Sequence, residues 1–270
     1  MSILNIREPD GSVVKLEFHE ALPSTLNLAK IYAKAGYPDR YVVFAERKLP
    51  PDGKGEGVPG VYMSCILRPS FFPSQATFLS ALATVAATQA LEEHTTAPLG
   101  IGWISSIYCG EELIGGISIE GKLNSYTAYE YIIINFSLAL SRDSFPPRLT
   151  DLIKKVFEKD NNSVPMIIAK NILSKFFPLY SNMKNTAKFM DTYRQKFILR
   201  GKRVRFIIDG KRLKLKVLTF DEHDCSLIIE DADGRPMSIS SPKSILLPKK
   251  IRLKQSRERL KLDDENKDGH

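Results

Sequence analysis

Cysteine is scarce in this chain: Cys65, Cys109 and Cys225 are the only three, odd in number and far apart. That excludes a disulfide framework, and no CxxC or His/Cys pattern of metal-binding spacing occurs, so no metal site is expected. No apolar run reaches the roughly 18–20 residues of a membrane span. The opening Met1–Asn5 has no basic segment followed by an apolar one, so no signal peptide is expected. A reduced, cytoplasmic protein without a membrane is the simplest expectation. Tryptophan occurs once, at Trp103, and no internal repeat is visible.

What is present suffices for a sizeable core. The chain has 270 residues, 43% of them hydrophobic, and a net charge of +8. Part of that charge lies in Arg194–Lys216, where ten Lys/Arg face the single acid Asp209. A basic stretch can serve nucleic acid or any acidic partner, and it can equally be a solvated face. In Arg212–Val217 charged and apolar residues alternate, which puts the charges on one face of a strand. Lysines there would protect an exposed sheet edge. No aromatic side chains are interleaved for base stacking, which argues against a nucleic-acid partner.

Along the chain, Val13–Phe18 alternates and reads as a strand. Ser24 or Thr25 then caps a helix with apolar positions Leu28, Ala29, Tyr32 and Ala33, stopped by Gly36-Tyr37-Pro38. Tyr41–Ala45 is a strand, Lys48–Pro59 a loop rich in Pro, Gly and charge, and Val61–Leu67 a strand. The longest helix is expected from near Ser74, with Phe78, Leu79, Leu82, Val85, Ala86 and Leu91 at helical spacing. Three strands should follow, Leu99–Tyr108, Leu113–Glu120 and Tyr129–Phe136, with Gly110 turning between the first two. Helices are expected near Pro147–Lys159 and Val164–Phe177, with Thr150 and Ser163 near their starts.

From Gly201 the texture changes to short strands, Arg203–Ile208, Arg212–Thr219, Ser226–Ile229 and Met237–Ser240, separated by Asp-Gly and Asp-rich turns. The expected organisation is an α/β (α+β) domain over residues 1–182, a polar linker over 183–200, a small β-barrel-like domain over 201–250 and a charged tail over 251–270. The tail has too little apolar content to form a core and is expected to be disordered.

Motifs in the same order carry a resemblance. Ser24-Thr25 heads the first helix, Ala45-Glu46 ends the next strand, and Arg68-Pro69 ends the strand after the glycine loop. Gly102-Trp103-Ile104-Ser105-Ser106 is followed without a gap by Leu113-Ile114-Gly115-Gly116-Ile117-Ser118-Ile119-Glu120. Ile134-Asn135 ends a later strand, and Leu199–Val204 opens the small domain. This series resembles the biotin–protein ligases of the biotin/lipoate ligase superfamily, from Val13 to about Lys250. A member without the N-terminal winged helix is expected. The resemblance implies a mixed sheet with flanking helices and a small C-terminal SH3-like barrel.

It also implies a reaction: biotin and ATP, with Mg²⁺, give biotinyl-adenylate, and a lysine of a biotin carboxyl carrier domain takes the biotinyl group. The candidate pocket carried over from the family comprises Ser24, Thr25, Lys48, Trp103, Ser105, Ser106, Gly115, Gly116 and Asn135. The loop Gly53, Lys54, Gly55 and Gly57 stands where the family has an arginine-rich glycine loop. Each of these residues also has a plainer reading: Ser24-Thr25 as a helix cap, Trp103 as core, Gly115-Gly116 as a close strand approach, Asn135 as a buried structural amide.

The departures fall on the chemistry. The family's carboxylate- and phosphate-binding lysine becomes Leu113, and its basic residue before the tryptophan becomes Gly102. Its Asn and Asp become Ser105 and Ser106, and its loop arginines are missing. The glutamine before the loop becomes Lys48. One lost oxyanion-type contact costs about 10²–10³ in rate. No catalytic residue is therefore assigned, and a divergent or degenerate ligase is the expected function. The alternatives are an active ligase with relocated cations, drawn from Arg47, Lys48, Lys54 and Arg68, or a basic module that binds nucleic acid or protein.

Overall fold

A computed structural model describes residues 2–8, 11–71, 73, 76–95, 97–140, 163–231, 233–241 and 244–251. The helix expected near Pro147–Lys159, its Thr150, and all of the tail beyond Ile251 lie outside the described residues.

Eight strands form one mixed sheet. They are β1 (Ser2–Arg7), β2 (Val13–Leu22), β3 (Tyr41–Lys48), β4 (Val58–Leu67), β5 (Leu99–Gly102), β6 (Ser106–Cys109), β7 (Glu112–Leu123) and β8 (Tyr129–Ala139). Their spatial order is β1-β2-β3-β4-β8-β7-β6-β5. Only β2 and β3 are parallel, because the helix between them returns the chain to the same end of the sheet. That helix, α1 (Thr25–Lys34), starts as expected: Ser24 is its N-cap, and the hydroxyl accepts from the Asn27 amide at 3.1 Å. Gly36, in the left-handed region, turns the chain out of it.

Helix α1 covers one face of the sheet, where Ala29 and Ala33 pack with Val43, Ile66 and Ile133. The other face carries α2 (Ala76–Glu92), which packs against α3 (Val164–Ser181). Helix α2 is alanine-rich and buried along the whole of Ala81–Ala87. A helix that is apolar all round belongs between two layers. The longest described helix is in fact α3, with 18 residues against 17 in α2. Ser163 caps it, its hydroxyl accepting from the Met166 amide at 3.3 Å.

Two further expectations are corrected. Leu99–Tyr108 is not one strand: β5 and β6 fold onto each other, with Leu99 opposite Cys109 and Gly102 opposite Ser106. Trp103 and Ile104 at the bend are buried, so apolar content there marks a buried turn rather than a continuing strand. The segment Ser181–Gln195 contains most of a helix, α4 (Ala187–Lys196), which buries Phe189, Met190 and Tyr193. Three well-spaced apolar residues are enough to dock an otherwise polar helix.

The C-terminal strands are β9 (Arg203–Ile208), β10 (Lys211–Phe220), β11 (Leu227–Glu230), β12 (Pro236–Ile239) and β13 (Ile245–Leu246). They form a second, open five-stranded sheet in the order β12-β11-β10-β9-β13, where a small SH3-like, β-barrel-like domain was expected. Asp209 and Gly210 both have positive φ, as a two-residue hairpin turn requires. Strand β10 is paired on both sides, by β9 and β11. The pairing with β11 runs only from Lys216 to Phe220, so among the described residues Lys211–Leu215 keep one unpaired edge, where Arg212 and Lys214 can act as edge protection. Tyr193 and Phe197 pack against Phe220, and the Trp103 indole N–H donates to the Cys225 carbonyl at 2.6 Å, so the two sheets share one core. Among the described residues no helix is long and apolar enough to cross a membrane.

Candidate functional site

Three central strands carry a polar row across the α1 face. In the registers of β4 with β8 and β8 with β7, Ser64 faces Asn135 and Asn135 faces Ser118. Thr25, from the first turn of α1, comes down on this row. Its hydroxyl lies 2.9 Å from that of Ser64 and donates to Asn135 Oδ1 at 3.4 Å. Ser64 also donates to Asn135 Oδ1 at 3.0 Å, and Asn135 Nδ2 donates to Ser118 at 3.3 Å. Thr25 and Ser64 are buried, and each finds a hydrogen-bond partner within the row, so the cluster satisfies itself.

One row further along the same strands, Tyr62 faces Ser137 and Ser137 faces Gly116. A cavity of about 630 Å³ opens here. Its walls come from the end of β3 and the following loop (Lys48, Leu49, Pro50, Pro51, Glu56), from Val58 and Tyr62 of β4, from Leu113, Ile114 and Gly115 of β7, and from Ser137 and Ala139 of β8. That size suits a small organic ligand. Most of the wall is apolar. Among the described residues it holds one cation, Lys48, and one carboxylate, Glu56. Burial pushes the Tyr62 phenol up to about 12, so it stays neutral at physiological pH and can donate a hydrogen bond.

Gly115 is placed where no side chain fits: its φ is +150°, and a Cβ would lie 2.0 Å from the Ser137 carbonyl oxygen. At Gly116 a Cβ would lie 2.7 Å from the Ser105 carbonyl oxygen, which already accepts from the Ile117 amide at 2.8 Å. The two glycines thus let β7 approach β8 on one side and the Ser105 turn on the other. Leu113 is fixed by its backbone, whose amide donates to the Lys249 carbonyl at 2.8 Å.

The candidates named from the sequence divide into groups. Lys48, Leu113 and Gly115 line the cavity. Thr25 and Asn135 belong to the polar row beside it, while Ser24 is the helix cap. Trp103 is 2% exposed, bonds to the second sheet and is not part of the cavity wall. Ser105 and Ser106 support Gly116. Gly53, Lys54 and Gly55 sit on an exposed turn, where Asp52 accepts from the Lys54 amide at 3.1 Å, and Gly57 is buried against the Lys48 backbone. Arg68 is committed elsewhere: its guanidinium donates to the carbonyls of Ala33, Tyr37 and Glu130 at 2.9, 2.9 and 3.0 Å, closing the end of α1.

Tyr62, Ser64, Ser118, Ser137, Pro50, Pro51 and Glu56 were not singled out from the sequence. A serine within the apolar run of β4 was the available signal for Ser64. Nothing local marked the others.

The cavity residues can be tested against the ligands that the resemblance implies. An apolar wall with one lysine and a neutral phenol fits an acyl body ending in a single carboxylate. It does not fit a triphosphate, which needs several cations or backbone donors. Among the described residues no group of three or more His, Cys, Asp or Glu is placed to hold a metal ion.

No family model matches the chain. The bifunctional ligase/repressor BirA of Bacillus subtilis (strain 168) is 28% identical over 144 residues, which is 51% of this chain and 44% of that protein. The match thus spans less than half the length of this curated relative. A biotin protein ligase crystal structure from Aquifex aeolicus superposes with a TM-score of 0.61 at 20% identity, covering 86% of this chain and 98% of the other. A biotin protein ligase-like protein of unknown function from Silicibacter sp. TM1040 gives 0.59 at 14% identity, covering 84% and 94%. The fold is that of the biotin protein ligases, and the chain is biotin protein ligase-like.

Proposed function

We propose that this chain is a divergent ligase relative whose cavity binds an apolar acyl ligand, or the acyl-bearing end of a carrier domain, without efficient adenylation. The observation that carries the reading is Leu113 on the cavity wall beside Ile114 and Gly115, with Lys48 as the one cation on the described wall. An anionic head placed against Leu113, at the end of the wall away from Lys48, would be desolvated without a compensating charge, at a cost of several kcal/mol. Adenylate chemistry adds a polyanion to the same space, and the turn Gly53–Gly55 offers only Lys54 where the family has several arginines.

The residues of this chain would then bind and orient rather than catalyse. The apolar wall would exclude water from the acyl body, Tyr62 would donate to a carbonyl or carboxylate, and Lys48 would hold the anionic end. Biotin binding no tighter than about millimolar, roughly −4 kcal/mol, is expected.

The position of Lys48 supports a second reading, an active ligase with a relocated cation. One experiment separates the two: pyrophosphate release and carrier biotinylation with ATP, Mg²⁺, biotin and a biotin carboxyl carrier domain, for wild type and Leu113→Lys. Neither protein should turn over. Leu113→Lys should bind biotin about tenfold or more tighter, since a charge pair near a protein surface is worth up to about 4 kcal/mol at about 4 Å before desolvation. Turnover by wild type would establish the second reading. Turnover by the variant alone would mean that one lost cation separates this chain from its enzymatic relatives.

A further inference from the structure

Ile3, Leu4 and Val13 are 51%, 37% and 42% exposed, and all three stand at one end of the eight-stranded sheet. There β1 pairs with β2 on its inner side, and among the described residues no strand pairs with its outer side. The backbone donors and acceptors of such an edge are a template for another strand, which proteins block with short strands, proline, charge or a cover. The strands at the other three sheet ends are blocked. Strand β5 has four residues and is covered, since the Ile198 amide donates to the Ile101 carbonyl at 3.0 Å. Strand β12 has four residues and begins at Pro236, and β13 has two. The free part of β10 carries Arg212 and Lys214. Strand β1 has six residues without proline or lysine, and its one charge is Arg7 at the end.

We infer that β1 pairs with the β1 of a second copy of this chain, antiparallel across a two-fold axis, so that one sheet runs through both copies. The inference does not use the cavity, whose wall includes neither Ile3 nor Leu4. The strand is complementary to itself. A two-fold axis normal to the sheet keeps each face on its own side, so residues that face each other across the axis must share a face. The β1–β2 register puts Leu4 and Ile6 on the α2 face with the buried Leu16 and Val14. It puts Ile3, Asn5 and Arg7 on the α1 face with Glu17, Lys15 and Val13.

With Asn5 on the axis, Leu4 of each copy faces Ile6 of the other, and the two Asn5 amides face each other. Each Arg7 faces Ile3 of the other copy and stands in one row with that copy's buried carboxylate, Glu17. The two Lys15 are held apart by both Asn5, so no cation faces a cation. On the α1 face a groove of about 510 Å³ behind Ile3 and Asn5, walled by Tyr37, Pro38 and Tyr41, leaves room for the incoming side chains. A foreign strand would gain the same backbone bonds without these reciprocal pairs, which is why a second copy is the occupant. One paired strand is a small interface, so association in the micromolar range is expected.

Sedimentation velocity of the full chain from about 1 to 200 µM tests the association, with wild type expected to shift from monomer to dimer. Ile3→Lys/Leu4→Lys, whose folding is checked by circular dichroism, should weaken dimerisation by about tenfold or more, because it installs the charge that edge strands use against pairing. Mild oxidation tests the register. Facing positions of an antiparallel pair lie within disulfide reach, so Asn5→Cys should link two copies. Ile31→Cys is the control, since Ile31 is 62% exposed on α1 and should give little linked product. The native Cys65, Cys109 and Cys225 are buried and leave the readout clear. A wild type that stays monomeric throughout would overturn the inference, and slow hydrogen exchange at the β1 amides of that monomer would assign the edge to another segment of this chain. A dimer that is indifferent to Ile3→Lys/Leu4→Lys would overturn it as well, as would Asn5→Cys that links no better than Ile31→Cys.

Discussion

Gly115→Ala is the substitution whose cost the geometry defines best. Gly115 lines the cavity and pairs with Leu138 of β8. An added Cβ would lie 2.0 Å from the Ser137 carbonyl oxygen and 3.0 Å from Leu138 Cα. Both are backbone atoms of a central strand and cannot rotate away. Overpacking of this kind costs about 1–3 kcal/mol. A non-glycine residue at so large a positive φ adds about 1–3 kcal/mol of backbone strain. A total loss of about 2–6 kcal/mol is expected, a large share of the ~5–15 kcal/mol that holds a typical domain together. Urea unfolding followed by fluorescence and far-ultraviolet circular dichroism measures it. Gly53→Ala is the control, because it has positive φ but open space around the added carbon, and about 1 kcal/mol is expected there. If Gly115→Ala loses no more than Gly53→Ala, the close approach of β7 to β8 is not what fixes this glycine.

Trp103→Phe removes the donor to the Cys225 carbonyl and part of a buried ring, so a loss of about 2–3 kcal/mol in thermal or urea unfolding is expected. An unchanged unfolding midpoint would separate the indole from the joining of the two sheets. Glu17 is 1% exposed; burial alone would raise its carboxyl, but hydrogen bonds from Tyr41 (2.5 Å), His19 (2.6 Å) and Tyr32 (3.0 Å) outweigh it and hold the group below its usual 4.5. A lowered folded-state value contributes stability above the unfolded one that is lost as pH falls through it. The stability gap between wild type and Glu17→Gln should therefore be full near neutrality and shrink below about pH 4.5 in urea midpoints, whereas a gap that grows on acidification would reverse the assigned sign.

The sequence by itself determined what depends on neighbours along the chain. The alternation of Val13–Phe18, the Ser24 cap, the Gly36 stop and the Asp209-Gly210 turn all read correctly, because a strand face, a cap and a two-residue turn are set within a few residues. The order of those elements carried the resemblance that the fold bears out. The tertiary structure decided what depends on register. Thr25, Ser64, Asn135 and Ser118 come from four separate segments, and only the pairing of β4, β8 and β7 makes them one cluster. The fold of β5 onto β6 turned one expected strand into a hairpin, since an apolar bend and an apolar strand look alike in sequence. The helical spacing of Phe189, Met190 and Tyr193 was masked by the polar residues around them. Register also decided how much of β10 is covered on both sides: β11 reaches it only from Lys216 to Phe220, which leaves Lys211–Leu215 on an edge. Arg68 was one of four cations near the site in sequence, and its three carbonyl acceptors remove it from the cavity. Charge and periodicity are properties of the chain, but which face, which partner and which wall they serve is fixed by contacts between residues far apart in sequence.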